Sequence, residues 1–310
     1  MRIIFFGTPD FAVPSLGALI ESGEEVISVV TQPDRTKGRG HKLSQPPVKE
    51  LAVSRGIPVR QPPGIRHADF LEELSELKPE MIVVVAYGKI IPLSILKLPP
   101  RGCINVHASL LPKYRGAAPI QWAIIRGEDR TGVTTMLMDE GLDTGDILLQ
   151  EETEIDDEDN AYTLGKKLSE SGASLLIRTL RGLKDNSIEP LKQKGEPSYA
   201  PPLKKEDGRI DWSSKSREIF NLIRGTYPWP GAYCYLNNEK IIITKAGVIE
   251  HTGSTVPGRI ERLFNEEMFV GTGEGIISIL ELRPEGKRSM SGGAFMNGRR
   301  LREGVSFDVS

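Results

Sequence analysis

The stretch "NVHASLLPKYRG", Asn105 to Gly116, sets two neutral hydrogen-bonding side chains two residues apart and then breaks into Ser-Leu-Leu-Pro. Cys103 to Ala108 reads as a short strand. Side chains alternate between the faces of a strand, so Ile104, Val106 and Ala108 are expected in a core. Asn105 and His107 then leave the opposite face together, about 6–7 Å apart at Cα. Such a pair at a strand end could stabilise an oxyanion or polarise an electrophile. The plainer alternative is a polar, solvated face. Cys103 shares the face of His107, which raises a nucleophile and its base. Four strand residues separate them by roughly 13 Å, beyond hydrogen-bond reach. Cys103 is therefore expected to be a small buried hydrophobe.

Two other polar stretches could carry chemistry. "GLDTGD", Gly141 to Asp146, lies between apolar runs. Asp and Gly are turn formers, so a β-turn is one reading. The other is that a carboxylate here faces His107, orients the imidazole and helps to move protons. Asp139 and Glu140 raise the idea of a hard-metal site, but the spacing matches no calcium loop. The third stretch is Thr31 to Glu50, where Arg35, Lys37, Arg39 and Lys42 alternate with Gly38 and Gly40. It is long for a strand-to-helix connection. A flexible basic loop is a common way to touch phosphates, and a solvated charged loop is the alternative.

These residues need elements to hold them. The chain of 310 residues exceeds one typical domain and points to two. Its 38% hydrophobic and 26% charged content supplies an ordinary globular core. A net charge of −2 announces no nucleic-acid binder, so any such site must be local. The two cysteines lie far apart, which argues against a disulfide framework and fits a reducing compartment. The histidines and cysteines form no close group, which argues against zinc. No apolar run reaches membrane-spanning length, and "MRIIFFG" opens as a strand without a charged-then-apolar leader. A cytoplasmic location is the expectation.

Along the first part of the chain, strands alternate with helices. "RIIFFG" is followed by a helix for which Thr8 is the expected cap and Pro9 the first residue. "EVISVVTQ", "IPVRQP" and "EMIVVVAYG" read as strands, with helices at "VKELAVSRG" and "ADFLEELSELKP". The run "EMIVVVAYG" is typical of a strand covered on both faces. This alternation predicts a parallel α/β sheet. Two strands around a turn and an amphipathic helix, "NAYTLGKKLSESGASLLIRTLRGL", complete the domain. The opening turn "FFGTPDF" holds only Gly7 of a dinucleotide fingerprint, which argues against an NAD or FAD enzyme. From residue 189 to 207, Pro, Gly, Lys and Glu dominate, as in an extended linker. One helix and several short strands after it suggest a small barrel or sandwich.

Taken in order, "FGTPDFAVPSL", "TQPDRTKGRGHKL", "NVHASLLPKYRGAAPIQWAI" and "MDEGLDTGDIL" resemble the folate-dependent formyltransferase family. "SYAPPLKKEDGRIDW", "PWPGAY" and "PEGKRSMSGGAFMNGR" extend the match to nearly the full length, and the likeness is strongest to the branch that formylates methionyl-tRNA. The resemblance implies a Rossmann-like formyltransferase domain over residues 1–188, a linker over 189–207, and a tRNA-binding OB-like β-barrel domain over 208–310. It implies a monomeric enzyme that needs no metal. The formyl donor would be 10-formyltetrahydrofolate, and the acceptor the α-amine of methionyl initiator tRNA, for translation initiation. The family's catalytic residues carry over to Asn105, His107 and Asp143. Ser109, Leu110, Leu111 and Pro112 would line the folate pocket. Arg35, Lys37, Arg39 and Lys42 would meet the acceptor stem. Phe11 is a weaker candidate for contact with the methionyl side chain, as are Lys287 and Arg288 for phosphates. Glu140 stands where the family commonly has Ala; it would either act on Asp143 or face solvent. A formyltransferase for an amino-sugar nucleotide shares the chemistry, but a small sugar nucleotide needs no long cationic arm. A non-catalytic tRNA-binding module is the rival from another class, and the retained Asn, His and Asp argue against it.

Overall fold

β1 (Arg2–Gly7) is apolar on both faces because both are covered. Ile3 and Phe5 pack into one core with Leu16, Val29, Val83 and Ile104. Ile4 and Phe6 pack into a second core with Val30, Phe70, Leu74 and Ile82. A strand with one wet face would instead alternate apolar and polar residues. All four β1 side chains are fully buried, each worth about 1.5–3 kcal/mol relative to exposure. This computed structural model describes residues 1–37, 42–249, 251, 253–264 and 266–308. Arg39 therefore lies outside the described residues.

After β1 the chain forms α1 (Val13–Glu21), β2 (Glu25–Val30), α2 (Pro47–Ser54), β3 (Val59–Arg60) and α3 (Ala68–Glu76). β4 (Met81–Val85), α4 (Leu93–Leu96), β5 (Cys103–His107) and α5 (Pro119–Ile125) follow. Next come β6 (Arg130–Leu137), β7 (Ile147–Glu154) and the long α6 (Ala161–Lys184). The seven strands form one sheet in the order β7-β6-β5-β4-β1-β2-β3. β1 to β5 pair in parallel, while β6 and β7 are antiparallel to their neighbours. This is a mainly parallel, Rossmann-like sheet. The chain steps outward from β1 to β2 and β3, then returns to β4 on the other side of β1. Strand order thus reverses between β1 and β4, where open α/β sheets form their ligand crevice.

The first helix starts later than the sequence suggests. Asp10–Ala12 make a single 3-10 turn, and α1 begins at Val13 with Pro14 in its first turn. Thr8 does not cap this helix. Its hydroxyl donates to the Tyr87 carbonyl at 3.1 Å and accepts from the Gln32 N–H at 3.3 Å. It therefore ties together the chain ends leaving β1, β2 and β4.

Contacts divide the chain into two compact units. One comprises Met1–Pro119, Arg130–Glu154 and Gly165–Pro201, and the other Ile120–Asp129, Ile155–Leu164 and Pro202–Ser310. The second unit holds α7 (Ser216–Gly225), β8 (Ala232–Leu236), β9 (Glu239–Ile249), β10 (Ile260–Phe264), β11 (Glu267–Gly271), β12 (Ile276–Pro284) and α8 (Gly292–Arg299). Its strands pair antiparallel in the order β8-β9-β12-β11-β10. The register of β9 against β12 shifts between Ile243 and Ala246, an irregularity that bends a strand and raises its twist. The core of this unit centres on Trp212, whose ring stacks on Phe307 at 5.3 Å between centroids and 17° between planes. Phe295, Ile219 and Ile277 belong to the same core. α8 forms in spite of its glycines because Ser291 caps it, accepting from the Ala294 N–H at 3.0 Å. Among the described residues, no helix is long and apolar enough to cross a membrane.

Replacing Trp212 by alanine would empty the centre of the second unit. The expected cost is about 3–5 kcal/mol, read as a lower midpoint of urea unfolding by far-ultraviolet circular dichroism. A loss under about 1 kcal/mol would show that the ring is not a packing centre.

Candidate active site

The β5 strand delivers its side chains as alternation requires. Ile104 and Val106 are buried in the core, and Asn105 keeps part of its surface. His107 is only 6% exposed. Its Nε2 lies 3.0 Å from the Tyr114 carbonyl oxygen. A carbonyl can only accept, so Nε2 carries a hydrogen and donates it. Nδ1 is the nitrogen left toward Asp143, whose Oδ2 is 3.7 Å away. That distance allows electrostatic attraction but exceeds a direct hydrogen bond.

Bringing Asp143 to His107 takes a reversal of the chain. Because β6 runs antiparallel to β5, its end lies beside the start of β5, and the Met138 N–H donates to the Cys103 carbonyl at 2.8 Å. The following loop must run back along β5. It does so as a self-bonded turn, in which Asp139 Oδ1 accepts from the Gly141 N–H at 3.0 Å and the Thr144 hydroxyl at 2.6 Å. The Leu137 N–H donates to the Asp146 carbonyl at 2.8 Å. Gly145 passes so close that a Cβ there would sit 1.8 Å from the Leu137 carbonyl oxygen. Asp143 itself takes the left-handed conformation, with φ of +52°. Its Oδ2 accepts from the Gly116 N–H at 2.8 Å. The stretch "GLDTGD" is thus both a turn and a carrier that aims a carboxylate at His107. Glu140 faces solvent.

The opposite wall is the turn that leaves β5. Tyr114, whose carbonyl holds His107, is also left-handed, with φ of +61°. Its N–H donates to Ser198 Oγ at 2.9 Å. Left-handed residues other than glycine cost on the order of 1–3 kcal/mol and persist only where their surroundings over-determine them. Two of them, Tyr114 and Asp143, flank His107. Gly116, with φ of +124°, has no room for a side chain, since a Cβ would lie 2.5 Å from the Ala200 carbonyl oxygen.

The quartet after β5 divides in two. Ser109 is fully buried and its hydroxyl donates to the Lys113 carbonyl at 2.6 Å. Leu111 is 3% exposed. Its N–H donates to Thr134 Oγ1 at 3.2 Å, and that hydroxyl donates to the Ser109 carbonyl at 2.7 Å. Gln150 Nε2 donates to the Leu111 carbonyl at 3.0 Å. Ser109 and Leu111 hold the turn together, while Leu110 and Pro112 keep part of their surface. Among the apolar residues exposed on loops are Ile90 after β4 and Leu142 next to Asp143. An apolar side chain inside a Gly-containing loop is the only sequence signal for either.

Cys103 is buried, and burial pushes its thiol up to about 12. Burial raises Cys234 as well. Phe11 packs against the core that contains Phe5. Lys287 and Arg288 are exposed beyond β12.

Two short strands of the basic stretch pair, Arg35–Lys37 antiparallel to Lys42–Ser44. Lys37 and Lys42 face each other in their backbone register. Below them, Lys49 Nζ donates to both Asp34 oxygens, at 2.9 and 2.8 Å, and to Gln61 Oε1 at 2.8 Å. Gln61 Nε2 donates to the Gln32 carbonyl at 2.9 Å and to Asp34 Oδ1 at 2.7 Å. The Lys49 ammonium and then the Gln61 amide hold the Asp34 carboxyl below its ordinary value. A cleft of about 560 Å³ opens beside these strands, lined by Thr8, Gln32, Arg35, Gln45 and Tyr87 among others. Arg35 is exposed there. The lining comes from the chain just after β1, β2 and β4, the crevice that the reversal of strand order predicts.

Residues 1–180 match the formyl transferase family, and residues 202–300 match the formyl transferase C-terminal domain. The methionyl-tRNA formyltransferase of Thermodesulfovibrio yellowstonii is 55% identical over 303 residues, covering 98% of this chain and 97% of that protein. The methionyl-tRNA formyltransferase of Pelotomaculum thermopropionicum is 53% identical over 306 residues, covering 98% of each. Among solved structures, an N-formyltransferase from Helicobacter canadensis in complex with folinic acid and dTDP-3-aminofucose aligns with a TM-score of 0.70. Its identity is 22%, over 90% of this chain and 98% of that one, so the likeness concerns the fold.

The tightness of the Asp143 loop is open to test. Gly145→Ala must push the Leu137 carbonyl aside, at an expected cost of about 1–3 kcal/mol in urea unfolding. An unchanged midpoint would mean that the loop does not pack against β6.

Proposed function

The chain belongs to the formyl transferase family, and we propose that it transfers the formyl group of 10-formyltetrahydrofolate to the α-amine of methionyl initiator tRNA, giving N-formylmethionyl-tRNA for translation initiation. The observation that carries this reading is 55% identity, over 98% of the chain, to a methionyl-tRNA formyltransferase. The sugar-nucleotide alternative has only likeness of fold behind it.

The reaction needs no nucleophile from the protein, because the acceptor amine is one. A free α-amine titrates near ~8, so part of it is neutral at working pH. Its nitrogen bonds to the formyl carbon, and the bond from that carbon to the donor's N10 then breaks. One proton leaves the amine and one arrives at N10. In between, the formyl oxygen carries negative charge. We assign Asn105 to donate a hydrogen bond to that oxygen. The Tyr114 carbonyl fixes the hydrogen of His107 on Nε2, which leaves Nδ1 to take the amine proton. The charged ring is then stabilised by the nearby Asp143 carboxylate, and its Nδ1–H can support the oxyanion or protonate N10.

The remaining roles are assigned by the same reading. Leu110 and Pro112, with the exposed Ile90 and Leu142, offer apolar surface to the flat rings of the donor, over the turn that Ser109 and Leu111 hold. Arg35, Lys37, Arg39 and Lys42 meet acceptor-stem phosphates, and the adjoining cleft takes the acceptor end. The antiparallel C-terminal domain, residues 208–310, adds a second tRNA contact through Lys287 and Arg288. The enzyme acts as a cytoplasmic monomer.

A formylation assay tests the function directly. With 10-formyltetrahydrofolate, the protein is expected to formylate methionyl initiator tRNA, and to act poorly on methionyl elongator tRNA and an amino-sugar nucleotide. Transfer confined to the sugar would overturn the acceptor. Asn105→Ala and His107→Ala should each lower kcat about 100–1000-fold, as loss of an oxyanion donor does. Cys103→Ala should leave kcat within about threefold, since the thiol touches no reacting atom. Arg39→Ala should raise KM for the tRNA and lower the salt slope of binding by about 1; an unchanged slope would remove Arg39 from the phosphate contacts.

A further inference from the structure

Residues 191–200 lie in the segment whose composition reads as a linker, yet they are bonded to both walls of the His107 site. Leu191 exchanges two backbone hydrogen bonds with Ile147, each 2.8 Å. Residues 199–200 pair with 115–116. Within this mostly exposed run, Gln193 and Ser198 are partly buried. Gln193 Nε2 donates to the Asp143 carbonyl and to the Gly145 carbonyl, both at 2.8 Å. Its Oε1 accepts from Arg115 Nε at 3.2 Å and from Arg115 Nη2 at 2.6 Å. Every hydrogen-bonding position of the amide is therefore used. The orientation is fixed by chemistry, because carbonyls only accept and a guanidinium only donates.

Gln193 thus grips the Asp143 loop with one atom and, with the other, the residue before Gly116, whose N–H holds the Asp143 carboxylate. Ser198 accepts from the N–H of Tyr114, whose carbonyl holds His107. The two left-handed residues that flank His107 are each pinned by one residue of this strap. Resting on the function proposed above, we propose that Gln193 and Ser198 are positioning residues that set the geometry of the His107–Asp143 pair.

Gln193→Leu, Gln193→Glu and Ser198→Ala separate this from a general structural role. Formyl transfer is measured as kcat and as KM for both substrates, alongside thermal unfolding. Peptide-resolved hydrogen exchange follows residues 139–147 and the Gly116 amide. Gln193→Leu should lower kcat about 10–100-fold with both KM values within about threefold, as a small misplacement of reacting groups does. Exchange should quicken over 139–147 and at Gly116, and stay unchanged in β4. Gln193→Glu keeps the acceptor for Arg115 but turns an oxygen toward two carbonyls. It should therefore behave like Gln193→Leu, and wild-type behaviour would mean that only the Arg115 side matters, overturning the grip on Asp143. Ser198→Ala should lower kcat about 3–10-fold, in the same pattern but more weakly. Should one variant fail to fold, the others decide by the same readouts. A kcat within twofold of wild type for Gln193→Leu, a KM effect alone, or unchanged exchange over 139–147 overturns the proposal. If wild-type protein transfers formyl to no acceptor, the proposed function falls, and the exchange data alone judge the strap.

Discussion

The hydrogen bond from the Gly116 N–H to the Asp143 carboxylate is the constraint around which this site is built. The Asp143 side chain is 14% exposed, so much of its hydration is gone and must be replaced by oriented donors. The donor belongs to the turn after β5, and the carboxylate to the loop after β6. Because β5 and β6 are antiparallel, that loop must double back to make the bond, which calls for the Asp139 turn, the close passage of Gly145 and a left-handed Asp143. The amide comes within reach only because Gly116 lies against Ala200, where no side chain fits. One bond therefore dictates local sequence in three separated segments.

What was legible beforehand follows from how far each signal reaches. The β5 strand could be read from alternation, since Ile104 and Val106 differ from Asn105 and His107 by a period that needs no knowledge of neighbours. The covered run at Met81–Val85 was legible for the same reason. That a carboxylate of Gly141 to Asp146 faces His107 was one of two readings of that stretch, and the choice of Asp143 came from resemblance, because thirty-odd residues and a strand reversal separate the two side chains. The hydroxyl of Ser109 bonds its own turn, a contact that composition does not reveal. Thr8 looked like a cap, and its hydroxyl instead joins three strand ends. Gln193 carried no periodicity because its bonds go to two other loops. The glycines of "GGAFMNGR" hid α8, whose cap at Ser291 lies just before the run.

Charge in the first unit is organised locally rather than globally. A chain of net charge −2 concentrates four basic residues within the stretch from Arg35 to Lys42. The Asp34–Lys49–Gln61 network fixes the base from which that stretch leaves the sheet. The crevice between β1 and β4 opens beside it, and the strand carrying Asn105 and His107 is the next one along from β4. Basic stretch, crevice and the strand that carries Asn105 and His107 thus follow one another across the same sheet, in an order set by strand pairing.

The interleaving of the two units has a consequence for synthesis. Ile120–Asp129 and Ile155–Leu164 emerge from a ribosome well before Pro202–Ser310, the part of the chain with which they form a unit. Domains generally fold in the order in which they appear, and surface left waiting is prone to aggregate. The nascent chain must therefore complete its Rossmann-like sheet while two of its segments remain without their final neighbours. Those segments belong to a structure whose remaining sequence has yet to be translated.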